Sequence, residues 1–386
     1  MKILHVVRSV DPRDGGPIEG VKLLGRAHHR EGREVEVVSL DDPDAEWVRN
    51  FPLRVYGLGP VGTKYGYTSK LPVWLKSHAA NYDAVIVNGV WQFGGLAAWR
   101  ALRDTATPYY VFPHGMLDPW FKRTYPLKHL KKWFYWPWAE YRVLRDARAV
   151  FFTCEQERLL ARESFWLYRC TEVVLGYGTS QPPGDAAAQR QKFFQAFPHC
   201  QEKRLWLFLG RLHVKKGCDD LLEAFALSRQ RDPSLHLVMA GPDQTGWQAK
   251  LQSQTHKLGL DSHVTWPGML DGDLKWGALH AAEVFFLPSH QENFGIAVAE
   301  ALACGVPVLI SNKVNIWREI EEDGAGLVAD DSVAGTHSNA ERWLNLSAPE
   351  QASMRVQARA CFHRHYHIEQ VAARLAEHLR LLGARG

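Results

Sequence analysis

The sequence predicts an α/β protein built from two doubly wound, parallel-sheet domains that face a central cleft. Short apolar segments that resemble strands alternate with helical segments along nearly the whole chain, which is typical of parallel sheets covered by helices on both faces. The alternation lapses once, between 181 and 203, and then starts again. A chain of 386 residues is long enough for two domains with well-filled cores.

The first domain is expected over residues 1–180, and its predicted strands are short, apolar and bounded by turn-forming residues. Open α/β sheets bind ligands outside the carboxyl ends of their strands. The loops that follow these strands are therefore where a site is expected. The predicted strands are Ile3–Val7, Val35–Ser39, Ala84–Asn88, Tyr109–Phe112, Ala149–Thr153 and Glu172–Leu175.

Residues 181–203 are rich in Gln, Pro, Ala and Gly and are interpreted as the linker between the domains. The second domain is expected over 204–360, with the same Rossmann-like construction, and helical segments follow to the end of the chain. Its predicted strands are Leu205–Leu209, Leu235–Ala240, Val264–Trp266, Val284–Leu287, Val306–Ile310 and Gly326–Val328.

The composition indicates a globular protein of the cytoplasm. Hydrophobic residues make up 46% of the chain and charged residues 23%, and no apolar run approaches the ~18–20 residues that span a bilayer. The apolar part of Met1–Val7 is too short for a signal peptide and is interpreted as the first strand. The six cysteines have no metal-binding spacing, so reduced, buried thiols are expected.

A basic, aromatic stretch at 116–148 stands out from a net charge of only +4. It holds eight Lys/Arg, three acidic residues and four tryptophans. Basic and aromatic residues together suit a lipid headgroup surface or an anionic acceptor, so peripheral contact with the inner face of the cell membrane is one expectation. A core helix with a solvated basic face is the alternative. Nucleic acid is not expected as a partner, because the charge is local and no binding motif accompanies it.

The most informative motif runs from Pro288 to Pro307. A predicted strand ends at Pro288, a loop carries Glu292, Gly295 opens a helix, and Glu300 lies within that helix. Free backbone N–H groups in the first turn of such a helix form an anion site. A carboxylate on either side of that turn suits a ligand with phosphates in its middle and hydroxyls at both ends, which is the shape of a nucleotide sugar.

A basic loop follows the first strand of the second domain. Arg211 and Lys216 lie between that strand and a helix, at the sheet edge where a diphosphate would need them. Arginine offers a planar fork of donors and lysine a compact charge. The sequence therefore predicts that this loop and the Glu292–Glu300 element bind phosphates together.

Two loops of the first domain are further candidates. Gly15 and Gly16 follow the first strand and let the backbone approach a ligand, although they do not form a G-x-G-x-x-G fingerprint. His114 follows the fourth predicted strand, beside a glycine, and a functional role is predicted for it. Two D-x-D triplets, at 42–44 and 271–273, lie among turn-forming residues, so turn chemistry is favoured over a metal site.

With these motifs the chain resembles the retaining glycosyltransferases of the GT-B fold in the large family called glycosyl transferases group 1, or family four. The resemblance covers nearly the whole chain. It is carried by Gly15-Gly16, His114, Gly210-Arg211-Leu212 with Lys216-Gly217, Glu292-Asn-Phe-Gly295, and Glu300.

The resemblance implies that Arg211 and Lys216 hold the donor diphosphate and that Glu300 binds the ribose hydroxyls. Glu292 and the amides of Asn293, Phe294 and Gly295 would bind the sugar and its phosphate. The backbone around Met269 and Leu270 would meet the base, Gly16 would approach the diphosphate, and His114 would contact the transferred sugar. The segment 361–386 would contain a helix that crosses back onto the first domain.

The chain departs from the family pattern at several positions. Asn293 stands where glycine is commonest, and Asn88 stands where a His-Gly-x-Trp pattern is frequent. Asn88 and Trp91 are assigned to the acceptor side.

The implied reaction is metal-independent transfer of a sugar from a nucleotide sugar to a hydroxyl of a glycan or lipid-linked glycan, as in bacterial surface polysaccharide biosynthesis. The acceptor would attack from the same face as the leaving group, since Glu292 and Glu300 are engaged by the donor. No cofactor is expected. A nucleotide-sugar 2-epimerase and a non-catalytic nucleotide-sugar-binding protein are the alternatives.

Overall fold

The fold is described from a computed structural model that covers residues 1–124 and 126–383. Tyr125, within the basic aromatic stretch, and residues 384–386, at the end of the C-terminal segment, lie outside the described residues. The chain divides into two compact units. The first comprises Met1–Ser180 together with the segment that begins at Ile368, and the second comprises Gln181–His367.

The first unit is built on a seven-stranded sheet in the order β3-β2-β1-β4-β5-β6-β7. All of its strand pairs are parallel. The central strands are mostly apolar and buried because helices cover both faces of the sheet. The strands are β1 Lys2–Val6, β2 Glu34–Ser39, β3 Arg54–Gly57, β4 Ala84–Asn88, β5 Tyr109–Phe112, β6 Val150–Phe152 and β7 Glu172–Val174.

The helices of the first unit connect these strands in the order expected of a doubly wound sheet. They are α1 Gly16–Arg30, α2 Glu46–Arg49, α3 Lys70–His78, α4 Phe93–Leu102, α5 Trp120–Thr124, α6 Pro126–Tyr135, α7 Glu140–Asp146 and α8 Glu155–Arg162.

Strand β3 was not predicted from the sequence. It lies at the edge of the sheet and its residues are only half-buried, so it lacks the continuous apolar run that marks a buried parallel strand.

The second unit is built on a six-stranded parallel sheet in the order β10-β9-β8-β11-β12-β13. Its strands are β8 Arg204–Leu209, β9 Leu235–Ala240, β10 Val264–Gly268, β11 Val284–Leu287, β12 Val308–Ser311 and β13 Gly326–Ala329. Its helices are α9 Ala186–Ala196, α10 Cys218–Arg231, α11 Trp247–Lys257, α12 Gly272–Ala281, α13 Ile296–Ala303, α14 Trp317–Glu322, α15 Val333–Asn345 and α16 Ala348–Cys361.

The segment 181–203 differs from the linker expected there, because it belongs to the second unit and Ala186–Ala196 within it form helix α9. Alanine, glutamine and lysine are good helix formers, and Asp185 caps the helix by accepting a hydrogen bond from the amide of Ala188 at 2.7 Å. Phe193 is fully buried. A Cβ on Gly277 of α12 would lie 2.2 Å from the carbonyl oxygen of Gln189, so the two helices pack closely.

The last helix, α17 (Ile368–Gly383), belongs to the first unit, whereas the predicted boundary lay at 361. It packs against α1. Arg30 of α1 pairs with Glu369 at 2.8 Å, and Arg374 donates a hydrogen bond to the carbonyl oxygen of Leu175 at 3.2 Å. Residues 361–367, which were assigned to the crossing segment, stay with the second unit, where Phe362–Tyr366 continues α16 as a π-helical turn.

Candidate functional site

The predicted site loops follow the strands at the switch point of each sheet, where the strand order reverses. In the second unit these strands are β8 and β11, whose loops carry the basic residues and the Glu292 element respectively. The two loops are joined by a hydrogen bond from the amide of His290 to the carbonyl oxygen of Lys215 at 2.8 Å. A Cβ on Gly217 would lie only 2.2 Å from the carbonyl oxygen of Pro288, so the loops touch.

The contact between these loops brings Lys216 to Glu292. The Nζ atom of Lys216 forms an ion pair with the carboxylate of Glu292, and both side chains are mostly buried. The side chain of Arg211 is exposed and makes no hydrogen bond or ion pair with the described residues. One cation of the predicted pair is therefore engaged with the Glu292 loop, while the other is open to solvent.

Helix α13 begins immediately after this loop. Gly295 precedes it with φ of 74° and ψ of 67°, in the left-handed region that favours glycine. The loop is fixed to the chain after β12, because the amide of Glu292 donates to the carbonyl oxygen of Lys313 and the amide of Asn315 donates to that of Glu292, both at 3.0 Å. The ring of Phe294 is buried against Tyr366.

Glu300 lies on α13 and is almost completely buried. Its carboxylate pairs with Nζ of Lys275 at 2.7 Å, and that ammonium group also lies 4.3 Å from the centre of the Trp276 ring. After β10, Met269 is 71% exposed, whereas Leu270 is buried. Lys275 was not singled out from the sequence, and an isolated lysine on a helix gives no signal that would have found it.

The arrangement in the second unit can bind a polyanion. Lys216, Arg211 and the first amides of α13 supply positive potential around the loops after β8 and β11. Carboxylates balance two half-buried lysines, since Lys216 pairs with Glu292 and Lys275 pairs with Glu300. A ligand with both phosphates and hydroxyls could pair with the cations and the carboxylates together.

The first unit has a cavity of about 200 Å³ at the switch point between β1 and β4. Its lining brings together loops after β1, β4 and β5, and none of the described residues in it is a carboxylate. The residues that line it are Val7, Arg8, Ser9, Pro17, Ile18, Asn88, Gly89, Gln92, His114 and Met116. Arg8 is a cation in this cavity that was not singled out from the sequence.

The ring of His114 packs against two aromatic side chains in the cavity wall. It stacks on Phe112 with centroids 4.4 Å apart and an interplanar angle of 4°, and its edge meets Tyr177. Burial lowers the pKa of His114 to about 3, so the imidazole is neutral at neutral pH. Its backbone φ of 51° is unusual for a residue with a side chain.

Asn88 and Trp91, which were assigned to the acceptor side, have side chains that contact other parts of the first unit. The Asn88 amide lies between His5 and His114, at 3.0 and 3.1 Å. The Trp91 ring packs against Trp136 and Phe165, and its Nε1 donates to the carbonyl oxygen of Met116 at 3.0 Å. Their contact with an acceptor stays a prediction.

Two buried glutamates fix the loops after β4 and β5. Glu140 accepts a hydrogen bond from the amide of Trp91 at 2.7 Å, where φ is 67°. Burial raises the pKa of Glu140 to about 8. Glu157 accepts from the amide of Gly115 and from the amide of Thr153. Neither glutamate was singled out from the sequence, because acidic residues on helices are ordinary.

The glycine loop after β1 leads directly into α1. Gly15 has φ of 85°, and Gly16 is the first residue of the helix. A Cβ on either glycine would meet nothing within 4 Å, so the backbone there is open to an approaching group. The hydroxyl of Tyr177 donates to the carbonyl oxygen of Gly16 at 2.6 Å.

The residues of the D-x-D triplets have other roles in the structure. Asp42 accepts a hydrogen bond from the amide of Asp44 at 2.9 Å, Asp271 precedes α12, and Asp273 pairs with Lys192. Among the described residues, three groups have potential metal-ligand atoms within 4.8 Å of one another, and neither triplet is in them: His199 with Cys200 and His236, Asp323 with Cys361 and His365, and Asp219 with Asp220 and His290.

Comparison with known families covers both units. Residues 15–178 match the family model described as glycosyl transferase 4-like domain, and residues 189–360 match the model described as glycosyl transferases group 1. The chain belongs to the group 1 glycosyltransferases. The family inferred from the motifs is confirmed, and the chain is a glycosyltransferase, while retention of configuration stays a prediction.

A curated relative of this glycosyltransferase is the GDP-mannose:cellobiosyl-diphosphopolyprenol alpha-mannosyltransferase of Xanthomonas campestris. The two are 25% identical over 338 residues, which cover 86% of this chain and 83% of the relative. The match spans both units.

Solved structures establish the fold of this glycosyltransferase. Sucrose-phosphate synthase of Thermosynechococcus elongatus matches with a TM-score of 0.74 at 20% identity, over 99% of this chain and 98% of that one. HepE of Anabaena, solved in complex with UDP and glucose, matches with a TM-score of 0.75 at 19% identity, over 99% and 100%. The predicted two-domain, Rossmann-like GT-B fold is confirmed.

Proposed function

We propose that this glycosyltransferase moves a sugar from a nucleoside-diphosphate sugar to a hydroxyl of a glycan or lipid-linked glycan, with retention of anomeric configuration and without a resident metal. The observation that carries the proposal is the meeting of Lys216 with Glu292, three residues before the glycine that opens α13. The cation and the helix amides suit the diphosphate of such a donor, and the carboxylate suits the hydroxyls of its sugar.

In the proposed donor complex, Lys216 and Arg211 bind the diphosphate together with the amides of Asn293, Phe294 and Gly295. Glu292 binds the sugar, Glu300 binds the ribose hydroxyls, and the backbone at Met269 and Leu270 meets the base. Breaking the bond from sugar to phosphate leaves negative charge on the diphosphate. Preorganised cations and helix amides stabilise that charge without a metal, an effect worth several kcal/mol.

The environment of His114 favours a reaction that retains the anomeric configuration of the sugar. An inverting reaction needs a general base near the acceptor, and an efficient base has a pKa close to the working pH. Burial lowers the pKa of His114 to about 3, which makes its imidazole a poor proton acceptor. The lining residues that the structure describes include no carboxylate. We therefore propose that a phosphate oxygen of the donor takes the acceptor proton and that attack occurs on the face the diphosphate leaves. His114 and Gly16 would contact the donor.

The acceptor is proposed to be a lipid-linked glycan of a surface polysaccharide pathway. The Xanthomonas relative is named for transfer from GDP-mannose to a cellobiosyl-diphosphopolyprenol, which is an acceptor of this chemical class. GDP-mannose and UDP-glucose are accordingly the first donors to test.

An exposed apolar face on helix α6 supports a lipid-linked acceptor. Helix α6 has no buried side chain among those described, and Leu127, Leu130 and Phe134 recur at helical spacing on one exposed face. Leu127 is 80% exposed, and Lys128 and Lys131 are exposed on the same helix. Within residues 1–124 and 126–383, no helix is long and apolar enough to cross a bilayer. We propose peripheral contact through α6.

Sedimentation with vesicles of phosphatidylcholine and phosphatidylglycerol tests this contact. The unaltered protein is expected to sediment with the vesicles, and the double variant Leu127→Glu, Phe134→Glu is expected to remain in the supernatant. Val73→Glu is the matched control, because Val73 is 65% exposed on α3 of the same unit. Equal sedimentation of both variants would exclude α6 as the membrane surface.

Product analysis tests the transfer itself. The protein is incubated with GDP-mannose or UDP-glucose, with and without a synthetic polyprenyl-diphosphate disaccharide, and the anomeric configuration of the product is read by proton NMR. Retention in an acceptor-dependent product supports the proposal. Inversion would contradict the mechanism, conversion of the donor sugar without acceptor would indicate an epimerase, and binding without turnover of any donor would indicate a non-catalytic protein.

A further inference from the structure

The side chains of His5, Asn88 and His114 form a hydrogen-bonded polar chain across the first sheet. They come from β1, from the last residue of β4 and from the loop after β5, which are neighbouring strands. The amide nitrogen of Asn88 lies 3.0 Å from Nδ1 of His5, and its amide oxygen lies 3.1 Å from Nε2 of His114. His5 and Asn88 are buried.

Backbone carbonyl groups decide which way the Asn88 amide points. Its nitrogen donates to the carbonyl oxygen of Ile86 at 3.2 Å and lies 3.5 Å from that of Val6. A carbonyl oxygen can only accept a hydrogen bond, so exchanging the amide oxygen and nitrogen of Asn88 would set two oxygens against each other. The amide oxygen of Asn88 must therefore face His114.

This orientation determines the protonation of His114. An amide oxygen accepts a hydrogen bond, so Nε2 of His114 must carry a hydrogen. Burial lowers the pKa of His114 to about 3 and that of His5 to about 4, and both rings are neutral at neutral pH. A neutral imidazole with hydrogen on Nε2 has its lone pair on Nδ1. Among the described residues, Asn88 is the only hydrogen-bond partner of the His114 ring.

We propose that Asn88 is a positioning residue, which holds His114 as the Nε2–H tautomer and so makes Nδ1 a hydrogen-bond acceptor for a hydroxyl of the bound sugar. His5 completes the chain by accepting from Asn88 through Nδ1. The inference rests on the proposed contact of His114 with the donor sugar. It also gives Asn88 a role that acts through His114, in place of direct contact with the acceptor.

The surrounding structure keeps this chain rigid. The Phe112 ring lies under His114, and the glutamates Glu140 and Glu157 hold the amides of Trp91 and Gly115 in the two loops. Trp91 and His114 both have positive φ values, which cost of order 1–3 kcal/mol each and persist only where the surroundings impose them. A loop held in this way presents one nitrogen of His114 in one orientation.

Nitrogen NMR of the full chain labelled with 15N-histidine tests the tautomer directly. The signals of His114 and His5 are assigned by their loss in His114→Gln and His5→Gln. The unaltered protein is expected to show a protonated Nε2 and an unprotonated Nδ1 for His114 at pH 7. A protonated Nδ1 would overturn the proposal, and this spectrum decides the matter even if an Asn88 variant does not fold.

Two substitutions at Asn88 separate positioning from structure. Asn88→Ala removes the acceptor and is expected to give a mixed His114 tautomer with kcat lowered roughly tenfold, the loss of about one hydrogen bond. Asn88→Gln keeps an amide oxygen as the acceptor and an amide nitrogen as the donor, and is expected to restore the Nε2–H signature. An unchanged tautomer in Asn88→Ala would refute the positioning role. The proposed role of His114 is tested separately with His114→Ala. If this variant transfers sugar at the full rate, although the His114 tautomer differs between the unaltered protein and Asn88→Ala, then Asn88 positions His114 but His114 does not take part in transfer.

Discussion

The ammonium group of Lys216 contacts the carboxylate of Glu292, although the two residues are 76 positions apart in the chain. Each follows a strand at the switch point of the second sheet. The contact joins the basic loop to the segment that opens α13, and it gives a physical basis for a phosphate site in this unit.

Loss of either cation in this unit is expected to slow sugar transfer. Lys216→Ala and Arg211→Ala should each lower kcat by about 100-fold or more, because each removes charge that stabilises the departing diphosphate. Steady-state kinetics with the best donor measures the effect. Lys192→Ala is the control, since Lys192 is also paired with an acid, Asp273, in the same unit. A Lys192→Ala rate as low as that of Lys216→Ala would show a general effect of lost ion pairs.

Replacing Gly295 by alanine is expected to weaken nucleotide binding as well as stability. A Cβ there would lie 3.2 Å from Cγ2 of Val298 and 3.3 Å from Cγ of Glu292, at a φ of 74°. Gly324→Ala is the matched control, because its φ is 62° and a Cβ would meet nothing within 4 Å. Both variants should lose roughly 1 kcal/mol of unfolding free energy. Only Gly295→Ala should also lose affinity for the nucleotide in calorimetry, and equal affinities would contradict the site.

The sequence predicted the fold class, the positions of nearly all strands along the chain and the loops that follow them, because each depends on local patterns. It did not predict ion pairs such as Lys275 with Glu300, since no local sequence pattern indicates which helices pack against each other. The segment 181–203 was misread because its proline and glycine outweighed a capped run of helix formers. Asn88 and Trp91 were assigned by position alone, and packing against His5 and Trp136 could not be foreseen.

Buried His28 is expected to make stability fall with decreasing pH. Burial lowers its pKa to about 3, while the unfolded chain keeps a value of about 6.5. Above about pH 6.5 the His28 ring is neutral in both the folded and the unfolded protein, so its titration does not lower the free energy of unfolding. Below it only the unfolded chain takes up the proton, and the unfolding free energy falls by about 1.4 kcal/mol per pH unit.

Urea denaturation at several pH values between 4.5 and 7 measures this slope. His28→Gln should reduce the slope of unfolding free energy against pH by about 1.4 kcal/mol per pH unit, since glutamine does not titrate. The glutamine side chain can still accept the hydrogen bond that Arg33 donates to Nδ1 of His28. The exposed His256 provides the control variant, His256→Gln. Parallel curves for His28→Gln and the unaltered protein would show that His28 is not neutral in the folded state.

Removal of metal is expected to leave transfer unchanged. The cations that the proposal uses are side chains and helix amides, so EDTA at millimolar concentration should change kcat by less than about twofold, and Asp271→Ala should do the same. Loss of activity in EDTA that returns with Mg²⁺ or Mn²⁺ would show that a metal takes part in the reaction. The kinetic assay with and without chelator distinguishes these results.

Lys216 is proposed to bind the diphosphate of the donor. Isothermal titration of UDP, UMP, GDP and GMP into the unaltered protein and Lys216→Ala tests it most directly. The substitution is expected to weaken binding of the preferred nucleoside diphosphate by tenfold or more, about 1.4 kcal/mol, and to weaken binding of its monophosphate much less. Equal losses for diphosphate and monophosphate, or no loss for either, would contradict it.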